Sequence, residues 1–198
     1  MPEKDATTNP PSAGESFRSD LALELYREHT VLNMMASRMR QTADLLGTAH
    51  RVDAARIQRA LDVHRSYLID VHHANEDKVA QALEKTPDPD IRQALEICRR
   101  EHPKADAFQA AAVAATEAGS RSPDTSAKRL AELFRQEADR IDEHHQKEEQ
   151  LLYLKLDRVL SETVQAAVLR SILDFNSQHA NAEMALTSWA SQLTPSSD

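Results

Sequence analysis

The side chains best suited to chemistry in this sequence are histidines and carboxylates that occur in two copies of one pattern. The pattern His-His-x-x-Glu-acid begins at His72 and again at His144. A Glu-His pair precedes each copy at nearly the same distance along the chain, as Glu28-His29 and as Glu101-His102. Imidazole nitrogens and carboxylate oxygens are common ligands of iron, manganese and zinc. An internal repeat of these residue types therefore predicts a metal site.

The composition predicts that helices carry these residues. The chain of 198 residues has 3 glycines and 4% aromatic residues, and its abundant Ala, Leu, Glu, Gln and Arg favour an all-α protein. This length suits one domain with a substantial core. The formal net charge of -8 disfavours nucleic acid and anionic membranes as partners. One cysteine excludes an internal disulfide, and the N-terminus does not resemble a signal peptide, so we expect a cytoplasmic protein.

Apolar spacing and helix-boundary residues predict four long helices joined by short connections. Asp88 should cap the third helix, with Pro89 in its first turn, and Pro103 should kink that helix without ending it. Short connections favour antiparallel neighbours, so we predict an up-down-up-down four-helix bundle. The four predicted helices cover residues 19–46, 52–84, 88–118 and 126–160.

The rest of the chain is predicted to support this bundle, which is assigned to residues 16–160. A fifth helix within residues 161–193 carries an apolar face that should dock on the bundle. Residues 1–15 and 194–198 are predicted to be disordered tails.

The apolar pattern of the second helix indicates which repeated residues face inward. In an α-helix, positions four apart share a face, so His72 pairs with Glu76, and His73 pairs with Asp77. The leucines of this helix project on the side of His72, so His72 and Glu76 should face the core, and His73 and Asp77 should turn away. On the fourth helix a weaker pattern, together with the repeat, assigns the same inward position to the pair His144 and Glu148.

Two carboxylates in a helical core require cationic partners, because an unpaired buried charge costs several kcal/mol. One further histidine from each remaining helix completes a set of predicted metal ligands, namely His29, His72, Glu76, His102, His144 and Glu148. Four imidazoles and two carboxylates suit two metal ions, with bridging carboxylates and a water, hydroxide or oxide. Nitrogen and oxygen donors favour iron first, then manganese or zinc.

Two other interpretations of the repeats remain open at this point. An isolated His-x-x-x-Glu is more often a core histidine or a surface contact than a metal site. A ferritin-like site would use Glu-x-x-His spacing, which Asp70 with His73 and Asp142 with His145 imitate. That choice would turn the leucines of the second helix outward, so we favour the first assignment.

The ordered set His29, His72 with Glu76, His102, and His144 with Glu148 resembles the hemerythrin-like HHE cation-binding domain family. The resemblance covers residues 21–160. It implies a non-heme di-iron centre with an oxo or hydroxo bridge that reacts with or senses dioxygen, peroxide or nitric oxide. An oxidoreductase, such as a peroxidase, a catalase or an oxygen-activating enzyme, would fit this class. The alternatives are iron or metal storage, and a metal-dependent regulatory module that binds a protein partner or a second copy of the chain without turnover.

The sequence departs from the oxygen-carrying hemerythrins at two positions. Those proteins have a second histidine four residues after the third-helix ligand, where this chain has Asp106. Their fourth-helix carboxylate is an aspartate spaced five residues from the histidine, where this chain has Glu148 at four. Fewer imidazoles and more carboxylates favour the ferric state over reversible oxygen carriage.

Several residues near the predicted ligands have two interpretations. Asp106 is either a further ligand or a solvated or helix-capping acid. Tyr26 is either a further ligand or an ordinary tyrosine of the core or its rim. Cys98 faces inward as an apolar filler or as a redox group. His179, which begins a third His-x-x-x-Glu with Glu183, is either a packed histidine or part of a lid over the site.

The remaining histidines and polar residues are assigned outside the ligand set. Arg65 and Glu137 form a candidate ion pair across the core, or else end at solvent. Tyr67 is expected to project outward. The other histidines are predicted to be surface residues or neighbours of the ligands, namely His50, His64, His73 and His145.

Overall fold

The computed structural model describes residues 17–49 and 52–191, and within these ranges the chain is helical without strands. The predicted tails and His50 lie outside the described residues. None of the described helices is long and apolar enough to cross a membrane. The α-helices are α1 (Asp20–Ala49), α2 (Ala54–Val63), α3 (Ala74–Leu83), α4 (Pro89–Ala118), α5 (Pro123–Leu151), α6 (Leu156–Val159), α7 (Glu162–Gln178) and α8 (Ala180–Ser191).

The start of α4 has the expected capping residues. The Asp88 carboxylate accepts hydrogen bonds from the backbone N–H groups of Asp90 and Ile91, and Pro89 occupies the first turn, where it forfeits no helical hydrogen bond. Pro103 lies inside α4, which continues to Ala118. The third helix thus extends on both sides of the proline, as the sequence predicted.

The second predicted helix is one continuous helical run, but its middle is not α-helical. A π-helix, His64–His73, separates α2 from α3. Its wider turns change the angular position of each residue relative to the 3.6-residue period used in the sequence prediction. Two predictions are wrong for this reason: Tyr67 is buried instead of projecting outward, and His73 is buried instead of turned away. Asp77, which follows the π-helix, is exposed as expected.

The fourth predicted helix ends earlier than the sequence indicated. Helix α5 stops at Leu151 and is followed by a single 3-10 turn, Tyr153–Lys155, and the short helix α6. The prediction of one helix to residue 160 is therefore wrong. The change of direction after Leu152 leaves Tyr153 buried, with 2% of its surface exposed.

The predicted fifth helix is divided into α7 and α8 at His179. The His179 ring Nδ1 lies 2.9 Å from the backbone oxygen of Phe175, so this histidine bonds to the end of its own helix. Ile172 on α7 and both Leu186 and Trp189 on α8 are buried. The C-terminal segment thus packs its apolar side chains into the core from both of its helices.

The core consists of two apolar clusters with a polar layer between them. One cluster contains Leu25 and Leu152, and the other contains Leu32 and Ile141. His29 lies between Leu25 and Leu32 on α1, and the same alternation recurs on the other long helical runs. The polar layer is thus enclosed by apolar side chains on both sides along the helices.

Docking of α8 should contribute measurably to stability. Leu186 is completely buried in the larger cluster, so Leu186→Ala should lower the free energy of unfolding of the metal-free protein by about 3 kcal/mol. Leu173, which is 47% exposed on α7, provides the matched control, and Leu173→Ala should change stability by less than about 0.5 kcal/mol. Urea denaturation followed by circular dichroism measures both. Equal effects of the two substitutions would contradict this packing.

Candidate metal centre

The structure brings all six predicted ligand residues together in the polar layer. They come from four helical runs that are far apart in sequence, and five of them are almost completely buried. His102 is the exception, because its side chain is 15% exposed. That these residues bind metal remains a prediction, since burial and proximity alone do not identify a ligand.

The two carboxylates occupy the middle of the cluster. Glu76 Oε1 lies 3.3 Å from His72 Nε2, and Glu76 Oε2 lies 3.1 Å from His102 Nε2. Glu148 Oε1 lies 3.2 Å from His144 Nε2, and Glu148 Oε2 lies 3.4 Å from His29 Nε2. Each carboxylate therefore contacts two imidazoles, one on its own helical run and one on another helix.

In spite of these short contacts, several of the buried nitrogen and oxygen atoms have no hydrogen bond. Among the described residues, no hydrogen-bond partner with suitable geometry exists for Nε2 of His72, His102 or His144. Oε2 of Glu76 and Oε2 of Glu148 also lack a hydrogen-bond partner with suitable geometry among the described residues. Buried polar atoms are normally hydrogen-bonded. Several imidazole nitrogens and carboxylate oxygens that point to one place without hydrogen bonds therefore fit a bound cation. The ligand atoms of His29, His72, Glu76 and Glu148 all lie within 4.8 Å of one another.

The Glu-His pairs of the repeat have a definite structural role. Glu28 lies 2.9 Å from His72 Nδ1, and Glu101 lies 3.1 Å from His144 Nδ1. A carboxylate that accepts from Nδ1–H leaves the Nε2 lone pair free to face the centre, which is a usual arrangement around metal-bound histidines. His29 has the same support from Glu149, at 2.9 Å from its Nδ1.

The carboxylates and imidazoles of the cluster shift one another's pKa values. Burial opposes the charged forms, but the His72 and His102 imidazoles hold the pKa of the Glu76 carboxyl well below its usual range. Burial likewise opposes charge on His72, yet Glu76 and Glu28 raise its pKa well above the ordinary value. The pKa of His144 is raised for the corresponding reason, against burial and because of Glu148. A metal ion must therefore compete with protons for these imidazoles.

The second histidine of each repeat stacks on a predicted ligand. The His145 ring lies parallel to that of His29 at 3.9 Å between centroids, and His73 lies on His102 at the same distance. Burial and the neighbouring imidazoles lower the pKa of both His73 and His145 well below the ordinary value. Their prediction as surface residues is wrong, whereas their prediction as neighbours of the ligands agrees with the structure.

Two side chains at the centre have donor atoms beside the predicted ligands. The Tyr153 hydroxyl lies 2.9 Å from His29 Nε2, and burial raises its pKa well above the ordinary value. The Cys98 thiol donates to Glu148 Oε1 at 2.9 Å, and burial raises its pKa as well. Sequence reasoning placed Cys98 inward but missed Tyr153, because no proline or glycine marks the end of α5 before it.

Other candidates lie away from the centre. Asp106 is 59% exposed and forms an ion pair with Arg65. Tyr26 packs its ring on Phe17 and makes no described contact with the cluster. Because Arg65 pairs with Asp106, the predicted core pair of Arg65 with Glu137 is wrong.

Glu137 belongs instead to a second buried polar group along the same helices. The Glu137 carboxylate accepts two hydrogen bonds from Arg140 and lies 2.8 Å from His64 Nε2. Gln109 lies 2.8 Å from the other nitrogen of the same ring and also donates to the backbone oxygen of Leu61. His64 is thus a buried, fully hydrogen-bonded core residue at the start of the π-helix, and its prediction as a surface residue or ligand neighbour is wrong.

Comparison with known proteins identifies no relative, because no family model, curated protein or solved structure matches this chain. The described part of the chain is all-helical and contains a buried cluster of histidines and carboxylates that could hold a metal ion.

The support that Glu28 gives to His72 leads to a test. Glu28→Gln removes the charge that orients and polarises the imidazole, so the affinity for Co²⁺ should fall by about ten-fold to a hundred-fold. Competition with a chromogenic chelator measures this affinity. Glu183, a partly exposed partner of Arg27, supplies the control, and Glu183→Gln should bind as the wild type does. Unchanged binding by Glu28→Gln would refute the positioning role.

The buried Glu137 group predicts a pH-dependent contribution to stability. Burial opposes its ionisation, but hydrogen bonds from Arg140 and His64 hold the Glu137 pKa below its ordinary value of 4.5. The stabilisation is therefore present above that value and is lost as the pH falls through the lower native pKa. Urea denaturation should show wild type more stable than Glu137→Gln by about 2 kcal/mol at neutral pH, with a smaller difference at a pH of about 3.

The control for this measurement is the exposed Glu132, whose Glu132→Gln variant should match wild type at both pH values. A difference between wild type and Glu137→Gln that does not depend on pH would contradict the assigned charge.

Proposed function

We propose that this protein is a non-heme di-iron protein with a hemerythrin-like four-helix bundle that reacts with or senses small oxidants. The iron ligands are His29, His72, Glu76, His102, His144 and Glu148. Manganese and zinc are the alternative metals, because the donors are nitrogen and oxygen. The packing of α1 and α4 on α5 is compatible with this bundle.

The observation that carries the proposal is the position of the two carboxylates. Each offers one oxygen to an imidazole of its own repeat and the other oxygen to an imidazole of another helix. Two such carboxylates suit two neighbouring cations that share them. Bound iron would supply Lewis acidity and one-electron redox change, and the chain's own residues would fix the ligand orientation and exclude water.

Burial favours small ligands over large substrates. The ring of His29 and the rings of His72 and His144 are essentially inaccessible, and apolar clusters enclose the polar layer from both sides. Among the six predicted ligands, His102 alone has appreciable exposure. Dioxygen, hydrogen peroxide and nitric oxide are small enough for such a centre, and each reacts with reduced or oxidised iron.

A second candidate, a metal-dependent regulatory module, is favoured by one contact. Asn176 on α7 donates to Glu28 Oε1 at 2.8 Å, and Glu28 in turn lies against His72. The C-terminal segment therefore contacts the residue that orients a predicted ligand. Metal occupancy would alter the packing of α7 in this candidate, without any turnover of oxidant.

Iron content tests the ligand assignment. Glu76→Ala removes two oxygens from the centre and should reduce bound iron from about two ions per chain to one or fewer. The matched control is the neighbouring Asp77, which is exposed, and Asp77→Ala should retain the wild-type content. Iron is measured by a colorimetric assay after anaerobic loading and desalting. Equal iron in both variants would exclude Glu76 as a ligand.

The response to oxygen tests the function. The visible spectrum of the iron-loaded, reduced protein is recorded while air is admitted and then removed. We expect a charge-transfer band that grows once and persists, because a ligand set with one imidazole fewer than that of the oxygen-carrying hemerythrins favours the ferric state. A band that disappears on degassing would instead indicate an oxygen carrier or sensor. The absence of any band would contradict a di-iron centre.

A further inference from the structure

Tyr153 is buried in the centre, although the six predicted ligands do not include it. Its hydroxyl lies 2.9 Å from His29 Nε2 and 3.4 Å from Glu76 Oε1. The 3-10 turn after α5 brings the ring to this position, and the ring packs at 5.0 Å from that of His29. The phenol is thus in contact with two predicted ligand atoms.

The hydroxyl and a metal ion would compete for the same lone pair. Glu149 lies 2.9 Å from Nδ1 of His29. When this carboxylate accepts a hydrogen bond from Nδ1–H, Nε2 is the acceptor nitrogen of the ring. The Tyr153 hydroxyl lies 2.9 Å from that nitrogen, where it can donate a hydrogen bond to the lone pair. A metal ion bound to His29 Nε2 would remove this acceptor, and the phenol would need a new interaction at the same place.

The spacing of the phenol oxygen is that of a ligand. Donor atoms at right angles around an ion, each about 2.1 Å from it, are about 3 Å apart. The predicted ligand pairs of this half of the centre are separated by 3.3 Å for His72 with Glu76 and 3.4 Å for His29 with Glu148. The Tyr153 oxygen lies 2.9 Å from His29 Nε2 and 3.4 Å from Glu76 Oε1, so both separations are close to the expected 3 Å.

We propose that the Tyr153 oxygen is a further iron ligand, bound as a phenolate to the ferric ion that also binds His29. Coordination forms the oxygen–iron bond and releases the phenol proton to solvent, with no change in the oxidation state of either group. This inference rests on the proposed di-iron centre.

The two halves of the centre would then differ in their access to small ligands. Tyr153 fills a position in the half that contains His29 and His72, where both rings are completely buried. The other half contains His102, whose ring is partly exposed. A small oxidant would therefore reach an iron held by His102 more easily, and a phenolate ligand would favour the ferric state of an iron held by His29.

Resonance Raman spectroscopy of the air-oxidised, iron-loaded protein tests the assignment. Excitation in the visible charge-transfer band should enhance the ring vibrations of an iron-bound phenolate in the wild-type protein. Tyr153→Phe should lose these vibrations while retaining at least half of its iron. Tyr67, which is as deeply buried as Tyr153, provides the matched control, and Tyr67→Phe should keep the signal.

The wild-type spectrum alone decides the question if the Tyr153→Phe variant does not fold. Bound iron without phenolate vibrations would overturn this inference and leave the di-iron proposal intact. Phenolate vibrations that persist in a folded Tyr153→Phe variant would also overturn it. A wild-type protein that binds no iron would overturn both proposals.

Discussion

Glu76 and Glu148 bring two carboxylates into the interior of a helical protein, where an uncompensated charge costs several kcal/mol. The rest of the polar layer is arranged around these two groups. Each carboxylate is flanked by imidazoles from two helical runs. Although burial opposes charge on these imidazoles, the carboxylates raise the pKa of His72 and of His144. Metal ions would compensate the charge of the same carboxylates, so cation binding and the integrity of the core would depend on the same contacts.

A second set of carboxylates controls the direction of the imidazoles. Glu28, Glu101 and Glu149 each lie against the outer nitrogen of one ring. The first two are the glutamates of the repeated Glu-His pairs, so one sequence unit supplies a ligand and the residue that orients a ligand of another helix. Asn176 extends this arrangement to α7 through Glu28, which links the C-terminal segment to the centre.

The sequence predicted most of this site because its signals are local and repeated. The spacing of His72 with Glu76 and of His144 with Glu148 selects one helix face, and the repeated pairs identify His29 and His102. The predictions of which side chains are buried are wrong where the chain departs from the 3.6-residue period of the α-helix. The π-helix buries His73 and Tyr67, and the end of α5 at Leu151 brings in Tyr153. Neither departure is marked in the sequence by a glycine or a proline, so the local pattern gave no signal for it.

The central claim is that Glu76 and Glu148 are shared by two metal ions. Anomalous diffraction at the iron absorption edge, from crystals of the anaerobically loaded protein, tests this claim most directly. We expect two anomalous peaks, one beside His29 and His72 and the other beside His102 and His144, with both carboxylates between them. A single peak, or iron bound only outside the polar layer, would contradict it.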